Sequence, residues 1–138
     1  MTSRYDGVQN YIMRANESCF FLCLLSIAED ENLRLGFVRW KIDFLDAARA
    51  CQDNGWLDND FTVRDDCKIL KYLTGHKCTK EIVQDPGIVK GNEYTVEKWA
   101  WDKKTHFRRR GWDVYKNSQT VRNGVRQCYY KYKFLSRI

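Results

Sequence analysis

The sequence has little proline and glycine, with one proline and eight glycines in 138 residues. A flexible linker is usually rich in such residues, so this composition predicts a single domain spanning residues 1–138. The longest apolar stretch, from Cys19 to Ala28, is far shorter than the roughly 20 residues of a membrane-spanning helix. The residues before it are mostly polar and lack the apolar centre of a secretory signal peptide. We therefore expect a cytoplasmic domain without a membrane span.

Cysteine is plentiful at six residues, but no CxxC pair occurs. In a reducing compartment we expect six free thiols, most of them buried as small apolar side chains. The nearest approach to a metal motif is His76 with Cys78, and no second ligand pair accompanies it. Structural zinc sites usually combine two such pairs. The sequence therefore predicts no metal and no other cofactor.

The chain carries a modest positive charge, with 24 basic and 18 acidic residues and a net charge of +6. Its one dense basic cluster consists of Lys103, Lys104, Arg108, Arg109 and Arg110. Such a cluster is usually a solvated face, so nucleic acid is not the expected partner. The alternative interpretation is a basic nucleic-acid-binding domain in which bases stack on neighbouring tryptophans. These are Trp99, Trp101 and Trp112.

Three helices are predicted before Gly75. The first covers Ser18–Glu31, and its first three turns are apolar almost all the way round, so it should run through the centre of the domain. The second runs from about 38 to 53 and the third from about 63 to 73. The second should bury a stripe made of Val38, Ile42, Leu45 and Ala48, widened by Phe44. The third should start at a capping pair formed by Thr62 and Asp65 and end at Gly75.

After Gly75 the sequence changes to short segments rich in β-branched and aromatic residues. They read EYTVEKWAW, THFRRR, WDVYK and VRQCYYKYKFL. Helices followed by a run of short strands are typical of the α+β class, in which helices pack against an antiparallel sheet. We therefore predict an α+β fold with a buried first helix.

Cys19 is the candidate nucleophile. If Asn16 caps the first helix, Cys19 lies in the first turn, where unpaired backbone N–H groups and the helix dipole favour a thiolate. The thiolate is the nucleophilic form of cysteine. Cys23, one turn later, is surrounded by apolar residues and is expected in the core. A buried core thiol is also the alternative interpretation of Cys19.

A cysteine nucleophile needs a base, and the chain has only two histidines. His76 follows a helix end and is expected to be an exposed turn or cap residue. His106 lies in the predicted strand THF, far along the chain from Cys19. An imidazole, with an ordinary pKa of about 6.5, can take the proton of a thiol. His106 is therefore the candidate base, and a packing or hydrogen-bonding strand histidine is the alternative.

The base needs an orienting partner, and Asp113 is the natural choice. A two-residue loop at 109–110 would place Asp113 directly opposite His106. A bulged turn at Gly111 would place Phe107 opposite Asp113 instead. The sequence leaves both turns open. The reserve orienters are Asn117 and Asp102.

An oxyanion hole would combine the backbone N–H of Cys19 with one side-chain donor. The candidate donors lie upstream of the cysteine and are Gln9, Asn10 and Asn16. Each of them could equally be a turn or capping residue. The residues alone do not choose among these three.

These segments together resemble the papain-like cysteine peptidases. The stretch NESCFFLCLLSIAED, then THF, WD and NSQTVRNG, is similar to bacterial peptidases related to those that cleave double-glycine leaders. Small phage-associated proteins of that group in spirochaetes are similar too. The resemblance covers residues 9–32 and 95–138. It implies a papain-like fold with the catalytic triad Cys19, His106 and Asp113. Met13 stands where the family usually has glutamine, and Val114 where it commonly has proline.

The resemblance also implies an activity. The implied activity is hydrolysis by a thiol protease or amidase, which acts through an acyl-enzyme on a peptide or peptidoglycan substrate. A bacteriophage origin would make it an endolysin-like peptidoglycan hydrolase or a protein-processing protease. The alternative is a catalytically inactive structural phage protein on the same scaffold, since a fold does not fix a function.

Overall fold

A computed structural model describes residues 18–36, 42–101, 104–109 and 124–135. Within these ranges the chain forms helices followed by strands. The helices are α1 (Ser18–Arg34), α2 (Phe44–Asp53) and α3 (Asp66–Thr74). The strands are β1 (Cys78–Val83), β2 (Glu93–Trp101), β3 (Lys104–Arg108) and β4 (Val125–Phe134). The predicted α+β class is confirmed.

The four described strands form one antiparallel sheet in the order β1-β4-β2-β3. β2 lies between β4 and β3, and its pairing with β3 places Trp99 opposite His106. The β2–β4 register shifts between Lys98 and Trp99. Strand β1 is absent from the predicted segments because only its first residue, Cys78, is buried, so the strand has no apolar alternation.

Helix α1 runs through the core, as its composition predicts. Every residue from Cys19 to Ala28 is buried. The helix continues past the predicted end at Glu31 to Arg34, whose guanidinium pairs with the Glu31 carboxylate at 2.7 Å. It contacts α3 on one side and β3 on another. Among the described residues, no helix is both long enough and apolar enough to cross a membrane.

The predicted start of α2 is wrong by several residues. The Asp43 carboxylate caps the helix by accepting a hydrogen bond from the Asp46 N–H at 2.8 Å. Ile42, expected inside the helix, instead donates its backbone N–H to the Glu29 carboxylate at 2.8 Å. The predicted stripe is wrong at Leu45, which is 61% exposed. Val38 lies outside the described residues, and the buried face consists of Phe44, Ala47, Ala48 and Cys51.

Helix α3 begins three residues later than predicted. Its cap is Asp65, which accepts a hydrogen bond from the Lys68 N–H at 3.1 Å, so Thr62 does not cap it. Val63 is extended because it bridges Leu57. The predicted glycine end is confirmed, since Gly75 adopts a left-handed φ of +73° that glycine tolerates best.

Candidate active site

Cys19 lies at the buried start of α1. It is the second residue of the helix, within the first turn, where backbone N–H groups have no helical partner. The positive end of the helix dipole therefore acts on this position. The Cys19 side chain is 8% exposed and belongs to the hydrophobic core together with Phe20 and Phe21. The thiol thus combines the electrostatic setting of a nucleophile with the packing of a core residue.

A pair of stacked aromatic rings joins the start of α1 to β3. The rings of Phe20 and Phe107 are stacked with centroids 4.3 Å apart and an interplanar angle of 18°. Tyr130 of β4 packs against both rings at 5.6 Å. Phe20 follows Cys19 in sequence, and Phe107 follows His106. The stack therefore brings together the two elements that carry the predicted nucleophile and base.

His106 is one of the most buried polar residues among those described, at 1% exposure. Side chains alternate between the two faces of a strand. Phe107 points toward α1, because it stacks on Phe20, and so does Arg109, which bonds to Asp30 of that helix. His106 therefore lies on the opposite face of the sheet, beside its cross-strand neighbour Trp99. The structure thus packs the strand of His106 against α1, but the buried His106 side chain lies on the face of the sheet opposite α1.

Sequence reasoning missed a buried carboxylate on the face that carries His106. Glu97 is 5% exposed and lies diagonally across the β2–β3 pair from His106. Its Oε1 accepts hydrogen bonds from Trp99 Nε1 at 2.8 Å and from Arg108 Nε at 3.0 Å. The Arg108 guanidinium also lies over the Trp99 ring, 4.9 Å from the centroid. The two-residue spacing of Glu97 and Trp99 in β2 is the signal that could have indicated a shared face.

The other predicted site residues lie outside the described part of the chain. They are the orienter Asp113, the oxyanion candidates Gln9, Asn10 and Asn16, and the reserve orienters Asn117 and Asp102. The turn that would decide whether Asp113 faces His106 also falls there. The roles of these residues stay predictions.

The second histidine occupies a different place. His76 is half-buried rather than exposed, and its backbone N–H donates to Thr74 Oγ1 at 3.1 Å just after α3. It lines a pocket of about 440 Å³ together with Arg34 and Asn92, whereas the aromatic stack borders another pocket. His76 is therefore a suitable control for experiments on His106.

A pocket opens directly beside the aromatic stack. Its volume is about 230 Å³. Three aromatic rings contribute to it, and the charged residues Arg64, Asp66 and Lys80 stand around them. The Lys80 ammonium lies 3.9 Å from the centroid of the Tyr130 ring and 2.7 Å from the Asp66 carboxylate. The pocket thus offers an apolar surface with charged groups of both signs. Its lining residues are Phe20, Val63, Arg64, Asp66, Lys80, Phe107 and Tyr130.

The described arginines of the basic cluster are paired rather than solvated. Arg108 binds Glu97 on one face of the sheet, while Arg109 bonds on the other face to Asp30 at 2.6 Å and to Ser26 Oγ at 2.7 Å. Both arginine side chains are less than one-fifth exposed. The expectation of a solvated face is therefore wrong for these two residues. Their positive charges form ion pairs within the fold.

The six cysteines are free thiols, and five of them are buried. Among the described residues, no three His, Cys, Asp or Glu side chains cluster closely enough to hold a metal ion. Comparison with protein-family models, with curated proteins and with solved structures finds no match for this chain.

Proposed function

We propose that the protein is a cysteine-dependent hydrolase, a peptidase or amidase of the papain-like type. The observation that supports this proposal is the Phe20–Phe107 stack, which packs the strand of a buried histidine against the helix start that carries Cys19. A cysteine in the first turn of a buried helix is a recurrent setting for a nucleophile. The resemblance of the sequence to papain-like peptidases points to the same two residues.

The proposed reaction follows from these roles. His106 takes the proton of the Cys19 thiol, and the sulfur attacks the carbonyl carbon of a peptide or amide. The backbone N–H of Cys19 stabilises the oxyanion, together with a donor from the upstream residues. The amine leaves with the proton from His106, and water then hydrolyses the thioester. Asp113 is the residue proposed to hold the imidazole.

The pocket beside the aromatic stack, which is lined by the neighbours Phe20 and Phe107 rather than by Cys19 and His106 themselves, supports the proposed substrate class. Its aromatic floor suits an apolar or aromatic side chain, and the nearby charges of both signs suit the polar backbone of a peptide. We propose a peptide as the substrate class. The peptide cross-link of peptidoglycan, as for an endolysin-like enzyme, rests on the resemblance alone.

The proposal requires the His106 ring to reach the Cys19 thiol past strand β3. Side-chain alternation along β3 places His106 on the face of the sheet opposite α1, so this contact is the feature to test. Iodoacetamide labelling at about pH 6 tests it, because an ordinary thiol is only about 0.3% ionised there. In wild type, Cys19 should be labelled faster than Cys23, which is fully buried on the same helix. His106→Ala and His106→Gln should both slow labelling of Cys19 by at least about tenfold. His76→Ala is the matched control and should leave the rate unchanged.

Site-resolved mass spectrometry of the labelled peptides gives these rates, and circular dichroism confirms that each variant is folded. Cys19→Ala should abolish any peptide hydrolysis. Equal labelling of Cys19 in wild type and in folded His106→Gln would show that the two residues do not act together. The catalytic proposal would then be rejected.

A non-catalytic role is the second candidate, and the alternation of β3 is the observation that favours it. His106 shares its face with Trp99 and with the Glu97–Arg108 ion pair, as a histidine that only packs and hydrogen-bonds would. On this interpretation the domain is a structural or binding module on the same scaffold. Equal labelling rates in the His106 experiment would support it. A nucleic-acid-binding role is less well supported, because Arg108, Arg109 and Trp99 are largely buried.

A further inference from the structure

Two thiols meet at a place that the proposed active site does not use. Cys67 is the second residue of α3, and Cys78 is the first residue of β1, which α3 contacts. The Cys78 thiol donates a hydrogen bond to the backbone carbonyl oxygen of Cys67, with a sulfur–oxygen distance of 4.0 Å. A sulfur this close to the backbone of the other cysteine lies within reach of its side chain, and rotation of the two side chains can bring the sulfurs to disulfide distance.

The two cysteines are not equivalent. Cys67 is half-buried, and the hydrogen bond from Cys78 lowers the pKa of the Cys67 thiol, with a smaller contribution from the charge of Lys80. Cys78 is 6% exposed, and its hydrogen bond to Cys67 together with burial raises its own pKa. Cys67 is the more exposed of the two thiols, so it is the one that a peroxide reaches first. This is the arrangement of a reacting cysteine beside a resolving one.

We propose that Cys67 and Cys78 form a reversible disulfide in the folded protein when a hydroperoxide is present. The Cys67 thiolate attacks one peroxide oxygen, the O–O bond breaks, and the departing oxygen takes a proton. With hydrogen peroxide this step yields a sulfenic acid on Cys67 and one water. The Cys78 sulfur then attacks the Cys67 sulfur, the S–O bond breaks, and a second water leaves with the thiol proton. Overall, two thiols are oxidised to one disulfide and one hydrogen peroxide is reduced to two waters.

The bridge would join the first turn of α3 to the start of β1. Asp66, next to Cys67, already links α3 to the sheet, because it accepts the Tyr132 hydroxyl at 2.7 Å and pairs with Lys80 of β1 at 2.7 Å. The disulfide would therefore lock a contact that exists in the reduced protein. It would also fix one wall of the pocket beside the aromatic stack, since Asp66 and Lys80 line that pocket.

Peptide mapping tests the proposal. Fully reduced protein is treated with one equivalent of hydrogen peroxide, its remaining thiols are blocked with N-ethylmaleimide in denaturant, and the digest is analysed by mass spectrometry. We expect a linked Cys67–Cys78 peptide that lacks two hydrogen atoms, and dithiothreitol should restore both free thiols. Cys128→Ser is the matched control at a buried strand cysteine and should keep the link. Absence of the link, or a different dominant pairing, would overturn the proposal.

Trapping of the sulfenic acid tests the order of steps separately. In Cys78→Ser the sulfenic acid on Cys67 cannot be resolved, so dimedone should label Cys67 at least several-fold more than in wild type. In Cys67→Ser, Cys78 should take up little dimedone because it is buried. Stronger labelling of Cys78 than of Cys67 would overturn the assigned roles. Neither result depends on whether Cys19 is catalytic.

Discussion

The two faces of the β2–β3 strand pair are both buried, but they differ in chemistry. The face toward α1 is mainly apolar and includes Phe107, stacked on Phe20, and the fully buried Val96, while Arg109 at its end pairs with Asp30. The opposite face carries Glu97, Trp99 and His106, each less than one-tenth exposed. Burial of apolar area stabilises a fold directly. Burial of polar groups costs free energy unless each group finds a partner.

The polar face meets that cost with specific contacts. Glu97 accepts hydrogen bonds from both Trp99 and Arg108, so the carboxylate, the indole and the guanidinium form one group. Buried charged pairs of this kind add little net stability but fix geometry. The apolar face explains why the sheet holds α1. The polar face is the one that carries His106.

Phe107→Ala should cause the largest loss of stability, because it removes a large buried side chain from the apolar face. Loss of a buried phenylalanine typically costs about 3–5 kcal/mol of unfolding free energy, and here it also removes the stack with Phe20. Urea denaturation measures this loss. The matched control is Ile82→Ala on β1, where the side chain is 63% exposed and the cost should be below about 1 kcal/mol. Equal losses in the two variants would show that the stack does not hold α1 to the sheet.

Glu97→Gln should have a smaller effect on the opposite face. The substitution keeps the shape of the side chain but removes the charge that Arg108 and Trp99 share, so we expect a loss of about 1–3 kcal/mol. Glu81→Gln, at an exposed position on β1, should change stability by less than about 0.5 kcal/mol. Indole fluorescence should report the change around Trp99. A neutral result for Glu97→Gln would mean that the polar face is not held by this group.

The apolar half of this comparison could be predicted from the sequence. The α1 segment contains no glycine or proline, and its first three turns are apolar almost all the way round, so a central α1 follows from local pattern alone. The alternating aromatic segments predict β2, β3 and β4, and Gly75 predicts the end of α3. These features depend on neighbours in sequence, and local pattern carries that information.

The polar half could not be predicted. Glu97 and Arg108 are eleven positions apart, and the pairing register between their strands decides that they meet. Arg109 likewise finds Asp30 at a separation of 79 positions. The run of basic residues therefore suggested a solvated face, although Arg108 and Arg109 both form ion pairs within the fold. The placement of Cys19 near the strand of His106 follows from the same kind of long-range packing, through the Phe20–Phe107 stack.

Tyr132 lies on the face of the sheet that packs against the helices. Tyr132→Phe should cause the smallest net loss of stability at high pH. Tyr132 is fully buried, and burial together with the nearby Asp66 carboxylate raises its pKa well above the ordinary value. The folded protein thus keeps the phenol proton where the unfolded chain, with a pKa of about 10, releases it. The unfolded state then binds fewer protons, so this stabilising contribution is complete below about pH 10 and is lost as the pH rises further.

At neutral pH, Tyr132→Phe should lose about 1–2 kcal/mol, because Asp66 loses its 2.7 Å hydrogen bond from the hydroxyl. Tyr72→Phe, at 49% exposure on α3, is the control and should change stability at neutral pH by less than about 0.5 kcal/mol. Urea titrations at about pH 7 and about pH 10.5 should show the difference between wild type and Tyr132→Phe shrinking, because only wild type loses the contribution of this phenol. A difference that grows with pH would contradict the buried, protonated Tyr132–Asp66 contact. The helix-facing side of the sheet would then contain a charged phenolate, and its contrast with the polar face would disappear.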